Sequence, residues 1–237
     1  MGHTGAMRAT QISRRVALTY RLDPTVAALL LPAGARARLV RGSAVGVALV
    51  APPERGRSLR FPLGLSLATC VHGVIAEWRD GSRSDGIVRA GLHVLRRDVD
   101  ARWLGPARSL PLPGSIHGAR FQAEIGLHEV RLLVEPRDGR ARVDFLGQPV
   151  PEWPRASLLQ GAADAAFLLG MRCGSVQPLG KVRVADSWFD ASKRFPAGCA
   201  EFDSAMVIQD LASLWRERHN VHFQARPFAG AADAAPA

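Results

Sequence analysis

The chain has 237 residues, 47% apolar and 22% charged, enough to bury a core and too apolar for wholesale disorder. Its three cysteines, Cys70, Cys173 and Cys199, make neither a disulfide framework nor a zinc-ligand spacing. The net charge of +10 is uneven: the first 60 residues hold ten arginines against Asp23 and Glu54, and the remainder is nearly balanced.

A basic segment attracts anionic metabolites or nucleic acid. Only Tyr20 and Phe61 lie near it, so the aromatic interleaving of a nucleic-acid surface is missing, and a solvated basic face is the plainer reading. No stretch reaches the ~18 apolar residues of a membrane helix. The opening MGHTGAMRATQISRR lacks the apolar core of a secretory signal. A cytoplasmic protein with no membrane association is therefore expected.

In chain order, Val16, Leu18, Tyr20 and Leu22 alternate with polar or small residues, as in a half-buried strand. Asp23-Pro24 supplies an N-cap and first-turn proline for a short helix, TVAALL, which stops at Pro32 and Gly34. Strands are predicted over 37–40 and 44–50, joined at Arg41-Gly42-Ser43, and a proline- and arginine-rich loop over 52–62. A hairpin follows, 67–78 and 86–95, turning at Asp80-Gly81-Ser82. Residues 98–108 read as weakly helical, ahead of the break LPLPGS. Three antiparallel strands come next, 116–125, 127–134 and 141–145, the last pair turning at Asp138-Gly139.

Proline-spaced residues 149–154 lead to the strongest helical pattern, 157–171, with Leu158, Leu159, Ala162, Ala165, Ala166, Leu168 and Leu169 on one face. Residues 181–184 and 200–208 read as strands and 187–193 as a short helix. Residues 1–15 are expected to be a flexible N-terminus, 16–226 a single domain and 227–237 a disordered tail. The fold class is α+β: a mostly antiparallel, strongly curved or barrel-like sheet, because so many strands would otherwise leave open edges. One main helix and short helices pack outside.

Four segments carry a family resemblance: VALTYRLDPTVAALLLPAGARARLVRGSAVGVALV; HGVIAEW with HVLRRDVDARW; LPLPGSIHGARF; and SWFDASKRFPAGCAEFDSAMVIQDLASLW. In this order, over residues 16–216, they resemble an uncharacterised bacterial YqjF-like family of the acetoacetate-decarboxylase-like superfamily. The resemblance implies a bent, barrel-like sheet around a central cavity with helices outside. It also implies a comparison with a superfamily enzyme that forms a Schiff base between a lysine and a keto acid. That lysine follows a short proline-containing turn; the matching Leu112-Pro113-Gly114-Ser115 holds no lysine. An arginine cannot substitute, because a guanidinium stays protonated. The only lysines are Lys181 and Lys193.

The remaining polar set is His72, Glu77, Arg96, Arg97, Asp98, His117 and Arg120. In a hairpin turning near Gly81, His72 and Arg96-Arg97-Asp98 come together. An arginine fork and a histidine donor can hold a carboxylate, with His72 the candidate catalytic base. The alternative is a sheet histidine, with Arg96 or Arg97 paired to Asp98 or Asp100. Glu201 and Asp203, two residues apart, share a strand face and could hold Arg96 or a cation. Cys70 and His72 also share a face, as a nucleophile pair or as buried core. No metal site, phosphate loop or dinucleotide fingerprint is present, so no cofactor is expected.

The functional expectation is a barrel that binds a small anionic metabolite, an organic acid. If it catalyses, it does so as a lyase or isomerase without a lysine Schiff base. The alternatives are a non-catalytic scaffold or protein-interaction domain and, less favoured, a nucleic-acid binder. A homo-oligomer is compatible with the sequence.

Overall fold

The computed structural model describes residues 13–52, 68–79, 88–108, 112–161, 163–165, 175–185 and 198–210. Expected features at 1–12, 53–62, 80–82, 166–171, 187–193 and 227–237 lie outside the described residues. Eleven strands are described: β1 (Ser13–Leu22), β2 (Ala35–Ala37), β3 (Leu39–Val40), β4 (Ser43–Ala51), β5 (Thr69–Arg79), β6 (Val88–Asp100), β7 (Ser115–Ile125), β8 (Val130–Pro136), β9 (Val143–Pro149), β10 (Ser175–Ala185) and β11 (Ala200–Asp210). Helix α1 (Pro24–Leu29) follows β1. A 3-10 turn (Ala101–Trp103) and α2 (Leu104–Arg108) follow β6.

Nine of the strands close on themselves in the order β4-β5-β6-β7-β8-β9-β10-β11-β1, with β1 pairing back to β4. Closure removes the edges that so many strands would expose. Every pairing is antiparallel except β6 with β7, which the turn and α2 connect. Strands β2 and β3 extend the pairing beside β5 and β4. The fold is the expected mostly antiparallel barrel; among the described residues its helices are few and short, where one main helix was also expected.

Period-2 alternation sorts the side chains. Val16, Leu18, Tyr20 and Leu22 of β1 face inward with Leu132, Val134, Phe145 and Leu179 in one apolar cluster. Tyr20 meets Phe202 edge-on, their centroids 5.8 Å apart. Ala17, Val47, Val71, Ile75, Val94 and Met206 face outward, yet lie buried under Leu158, Leu159 and Ala165. Burial of both faces explains why β4 reads as an unbroken apolar run.

Local chemistry sets the connections. The Asp23 carboxylate caps α1 by accepting from the Thr25 and Val26 N–H groups. Arg41 and Gly42 both take positive φ, 50° and 82°, in the two-residue β3–β4 hairpin, whose twist requires it.

Several boundaries differ from expectation: 37–40 is divided between β2 and β3, β9 runs to Pro149 rather than 145, and β10 begins at Ser175 rather than 181. Two differences bear on the site. Strand β6 runs to Asp100 rather than ending near Leu95. Its apolar alternation breaks where Leu95 is inserted opposite the His72/Gly73 step, a β-bulge that reverses which residues face inward. Gly73 is required there, since a Cβ would lie 2.3 Å from the His93 carbonyl oxygen.

The second difference concerns the helix expected from Ser157. Residues 157–161 are bends and irregular backbone, and helix is described at 163–165. The Leu158 N–H donates to Asp203 Oδ1 and the Leu159 N–H to Ser157 Oγ, contacts that tie this segment to β11. No helix among the described residues is long and apolar enough to cross a membrane.

Candidate functional site

Cys70 and His72 at the start of β5, Arg96 and Asp98 at the end of β6, and His117 at the start of β7 share the inner face at one end of the barrel. Register puts Cys70 opposite Asp98, His72 opposite Arg96, and, across the parallel pair, Asp98 beside His117. The bulge at Leu95 makes this possible. Before it Leu92 and Val94 face outward; after it Arg96 and Asp98 face inward. Asp138, from the β8–β9 turn, closes the set.

Arg96 is the centre. Its Nε donates to Asp98 Oδ1 and Oδ2 at 3.0 and 3.1 Å, and its Nη2 to Asp98 Oδ1 at 2.7 Å. Its other edge meets Asp138: Nη1 to Oδ2 at 2.9 Å and Nη2 to Oδ1 at 3.0 Å. One guanidinium thus holds two carboxylates in two forks, the strongest geometry available to arginine. The Arg96 and Asp98 side chains are 5% and 0% exposed, Asp138 32%. Burial opposes the charge on Arg96, but the hydrogen bonds and charges of Asp138 and Asp98 outweigh it and raise its pKa. For Asp138 burial also opposes ionisation. The hydrogen bonds from Arg96 and the Arg140 N–H, with the Arg96 charge, still hold its carboxyl below the usual range.

The two histidines differ. His72 is fully buried, with Nε2 3.2 Å from Asp98 Oδ2 and 3.3 Å from Cys70 Sγ. A single Nε2 hydrogen goes to the carboxylate, the stronger acceptor, so the imidazole has no free lone pair on that nitrogen with which to take the thiol proton. Burial first, then the Asp98 charge, push the Cys70 thiol well above its ordinary pKa, against a smaller opposing effect of Arg96. Cys70 is a buried thiol rather than a nucleophile.

His117 is partly exposed, with Nδ1 3.2 Å from Asp138 Oδ2 and Nε2 3.1 Å from Ser115 Oγ. Burial and the Arg96 charge lower its pKa, outweighing the Asp138 and Asp98 carboxylates, and Arg108 adds to the lowering. The neutral ring donates Nδ1–H to Asp138. A depressed histidine pKa means the unfolded chain binds the extra proton more readily. Stability owed to His117 is therefore full above about pH 6.5 and falls with pH until the folded pKa is passed. The thermal stability of wild type should fall as pH drops from about 7 through 6. His117→Asn should lose less over the same range, and equal pH dependence in the two proteins would remove this assignment.

Other candidates lie elsewhere. Arg97 is buried on the outer face, opposite Val71. Arg120 is exposed, facing Glu135 across β7–β8. Glu77, at the far end of β5, pairs with Arg36 and Arg38. Glu201 is exposed, and a register shift between Thr19 and Tyr20 leaves Asp203 unmatched in the β1–β11 pairing. Asp203 holds Arg21 Nε at 2.9 Å, Ser157 Oγ at 2.9 Å and the Leu158 N–H at 2.9 Å. Arg21 also reaches the Ala156 carbonyl. Asp203 therefore anchors the outer segment and does not pair with Arg96. Among the described residues no three His, Cys, Asp or Glu side chains converge to hold a metal ion.

Asp138 was legible only as a turn residue. Its partner Arg96 is 42 residues away, and an Asp-Gly turn carries no local signal of that contact. The bulge that brings Arg96 and Asp98 to one interior face with His72 has no local mark beyond Gly73 and the break in alternation.

Three solved structures resemble this barrel. Acetoacetate decarboxylase from Legionella pneumophila has a TM-score of 0.51 at 8% identity, over 83% of this chain and 80% of that one. The enduracididine biosynthesis enzyme MppR, solved with HEPES buffer bound, has 0.50 at 15%, over 84% and 82%. An acetoacetate decarboxylase-like enzyme from Sphingomonas wittichii RW1 has 0.50 at 12%, over 84% and 86%. The chain has the acetoacetate-decarboxylase-like fold. No protein-family model matches the chain, and no curated protein matches it.

In this acetoacetate-decarboxylase-like barrel the inward-facing residues form the apolar cluster of Tyr20, Leu132 and Phe145, and the charged set is confined to one end. The set holds one guanidinium against two carboxylates. The arginine expected to hold a carboxylate is already paired with Asp98 and Asp138, which leave the set one excess negative charge, with His117 and Asp138 at its rim.

Proposed function

We propose that the barrel binds a small organic acid through Arg96 and His117, without a lysine Schiff base. The observation behind this reading is that an arginine fork and an imidazole N–H already converge on a carboxylate, that of Asp138, at a partly exposed position. This is the donor set that an acid from solution needs. His72 does not touch the ligand: through Asp98 it fixes the guanidinium's orientation. A Schiff base has no support, since Lys181 is exposed on β10 in a bulge, φ 46°, and the other lysine is Lys193. Any lyase or isomerase step would use His117, the imidazole of this set that reaches solvent.

A thermal-shift titration with acetate, pyruvate and acetoacetate tests this. Wild type should be stabilised with the logarithmic concentration dependence of mass action, about 2.7 kcal/mol at a hundredfold excess over Kd. His117→Ala should lose most of that shift. Borohydride with pyruvate should leave no covalent adduct. The competing reading, an inert scaffold, is favoured by the apolar packing inside the barrel and requires no shift with any carboxylate.

A further inference from the structure

We infer that Asp138 is a built-in occupant of the carboxylate site and that an acid binds by displacing it. This rests on the organic-acid reading above and adds a regulatory element to the same site.

The two carboxylates on Arg96 are not equivalent. Asp98 comes from the same strand, is 0% exposed and also accepts from His72, so nothing can replace it without stripping a second buried side chain. Asp138 belongs to a turn, is 32% exposed, and meets only the outer Nη1/Nη2 edge and the partly exposed His117. Its remaining bond, from the Arg140 N–H at 3.0 Å, is local to the turn and can persist if the side chain swings outward. Gly139, at φ 67°, and the exposed Arg137 and Arg140 flank it, so a released carboxylate enters water beside two cations.

A ligand carboxylate in its place would inherit two guanidinium N–H groups and the His117 Nδ1–H. Charge sets the same requirement. With Asp98 and Asp138 both seated the set already carries one excess negative charge, and an added anion is opposed. Exchange of one carboxylate for another leaves the charge unchanged. A tethered competitor acts at an effective concentration of about millimolar or above, which raises the apparent Kd of every acid competing for the fork. Weak acids at low concentration are then excluded, and only an acid with further contacts of its own evicts Asp138.

The test is Asp138→Asn, isosteric and uncharged, with Asp138→Ser as a second variant that keeps a side-chain acceptor for the Arg140 N–H. Acetate and pyruvate are titrated against each protein by calorimetry and thermal shift, after circular dichroism confirms folding. Both variants should bind acetate about tenfold or more tighter than wild type and gain more in Tm from it. Equal affinity in variants and wild type would overturn the displacement while leaving the acid site standing. Weaker binding in the variants would make Asp138 part of the ligand's own contacts and overturn it too. Absence of acetate and pyruvate binding in all three proteins would remove the acid site and the displacement together.

Discussion

Asp98→Ala is expected to destabilise the fold by about 3–5 kcal/mol, a large share of the stability of a domain of this size. The carboxylate is fully buried and accepts from Arg96 Nε, Arg96 Nη2 and His72 Nε2. Alanine leaves a guanidinium at the barrel end with only the Asp138 fork, and a buried imidazole hydrogen facing a vacated space. Both are donors, so the loss is desolvation without return, the costly side of a buried ion pair. Urea unfolding read by tryptophan fluorescence should show a lower midpoint at unchanged slope. A loss below about 1 kcal/mol would mean that water reaches Arg96 freely, as at a surface pair.

Much of the barrel was legible because its strands obey a two-residue rule. Val16, Leu18, Tyr20 and Leu22 announce β1, Asp23-Pro24 announces α1, and Arg41-Gly42-Ser43 marks the hairpin that the structure places at those residues. The rule fails where a bulge interrupts it. Arg96, Arg97 and Asp98 are consecutive, so a sequence reading cannot say whether Arg96 with Asp98 or Arg97 alone faces inward; the Leu95 insertion opposite the His72/Gly73 step decides it and sends Arg97 to the outer face. The same limit applied to Glu201 and Asp203. Their two-residue spacing predicts a shared face, and the β1–β11 register shift separates their roles.

The helix reading over 157–171 failed at its start for a different reason. Helical spacing of Leu158 and Leu159 records burial against the outer sheet face, which bends satisfy as well as a helix does. Asp203, 45 residues from Leu158, accepts that residue's N–H and ties the segment to β11. Contacts of that separation are invisible to any local pattern, as Asp138 on Arg96 also illustrates.

Arg96→Gln should do two things that Asp98→Ala does not do together. Glutamine keeps length and an amide donor but removes the charge that two carboxylates share. Asp98 then sits buried with His72 as its remaining side-chain donor among these contacts, for a loss of about 3–5 kcal/mol. On the organic-acid proposal acid binding should disappear as well, because the Nη1/Nη2 edge would be the ligand's fork. The double variant Arg96→Gln/Asp98→Asn separates pair energy from packing. If the two side chains form one unit, the double variant should be less destabilised than the losses of its own single variants, Arg96→Gln and Asp98→Asn, added, with a coupling of about 1–3 kcal/mol. Strict additivity would mean that Arg96 is held chiefly by Asp138. In that case Asp138→Asn would be as damaging to stability as Arg96→Gln, and an exchangeable carboxylate at the rim could not be what the turn provides.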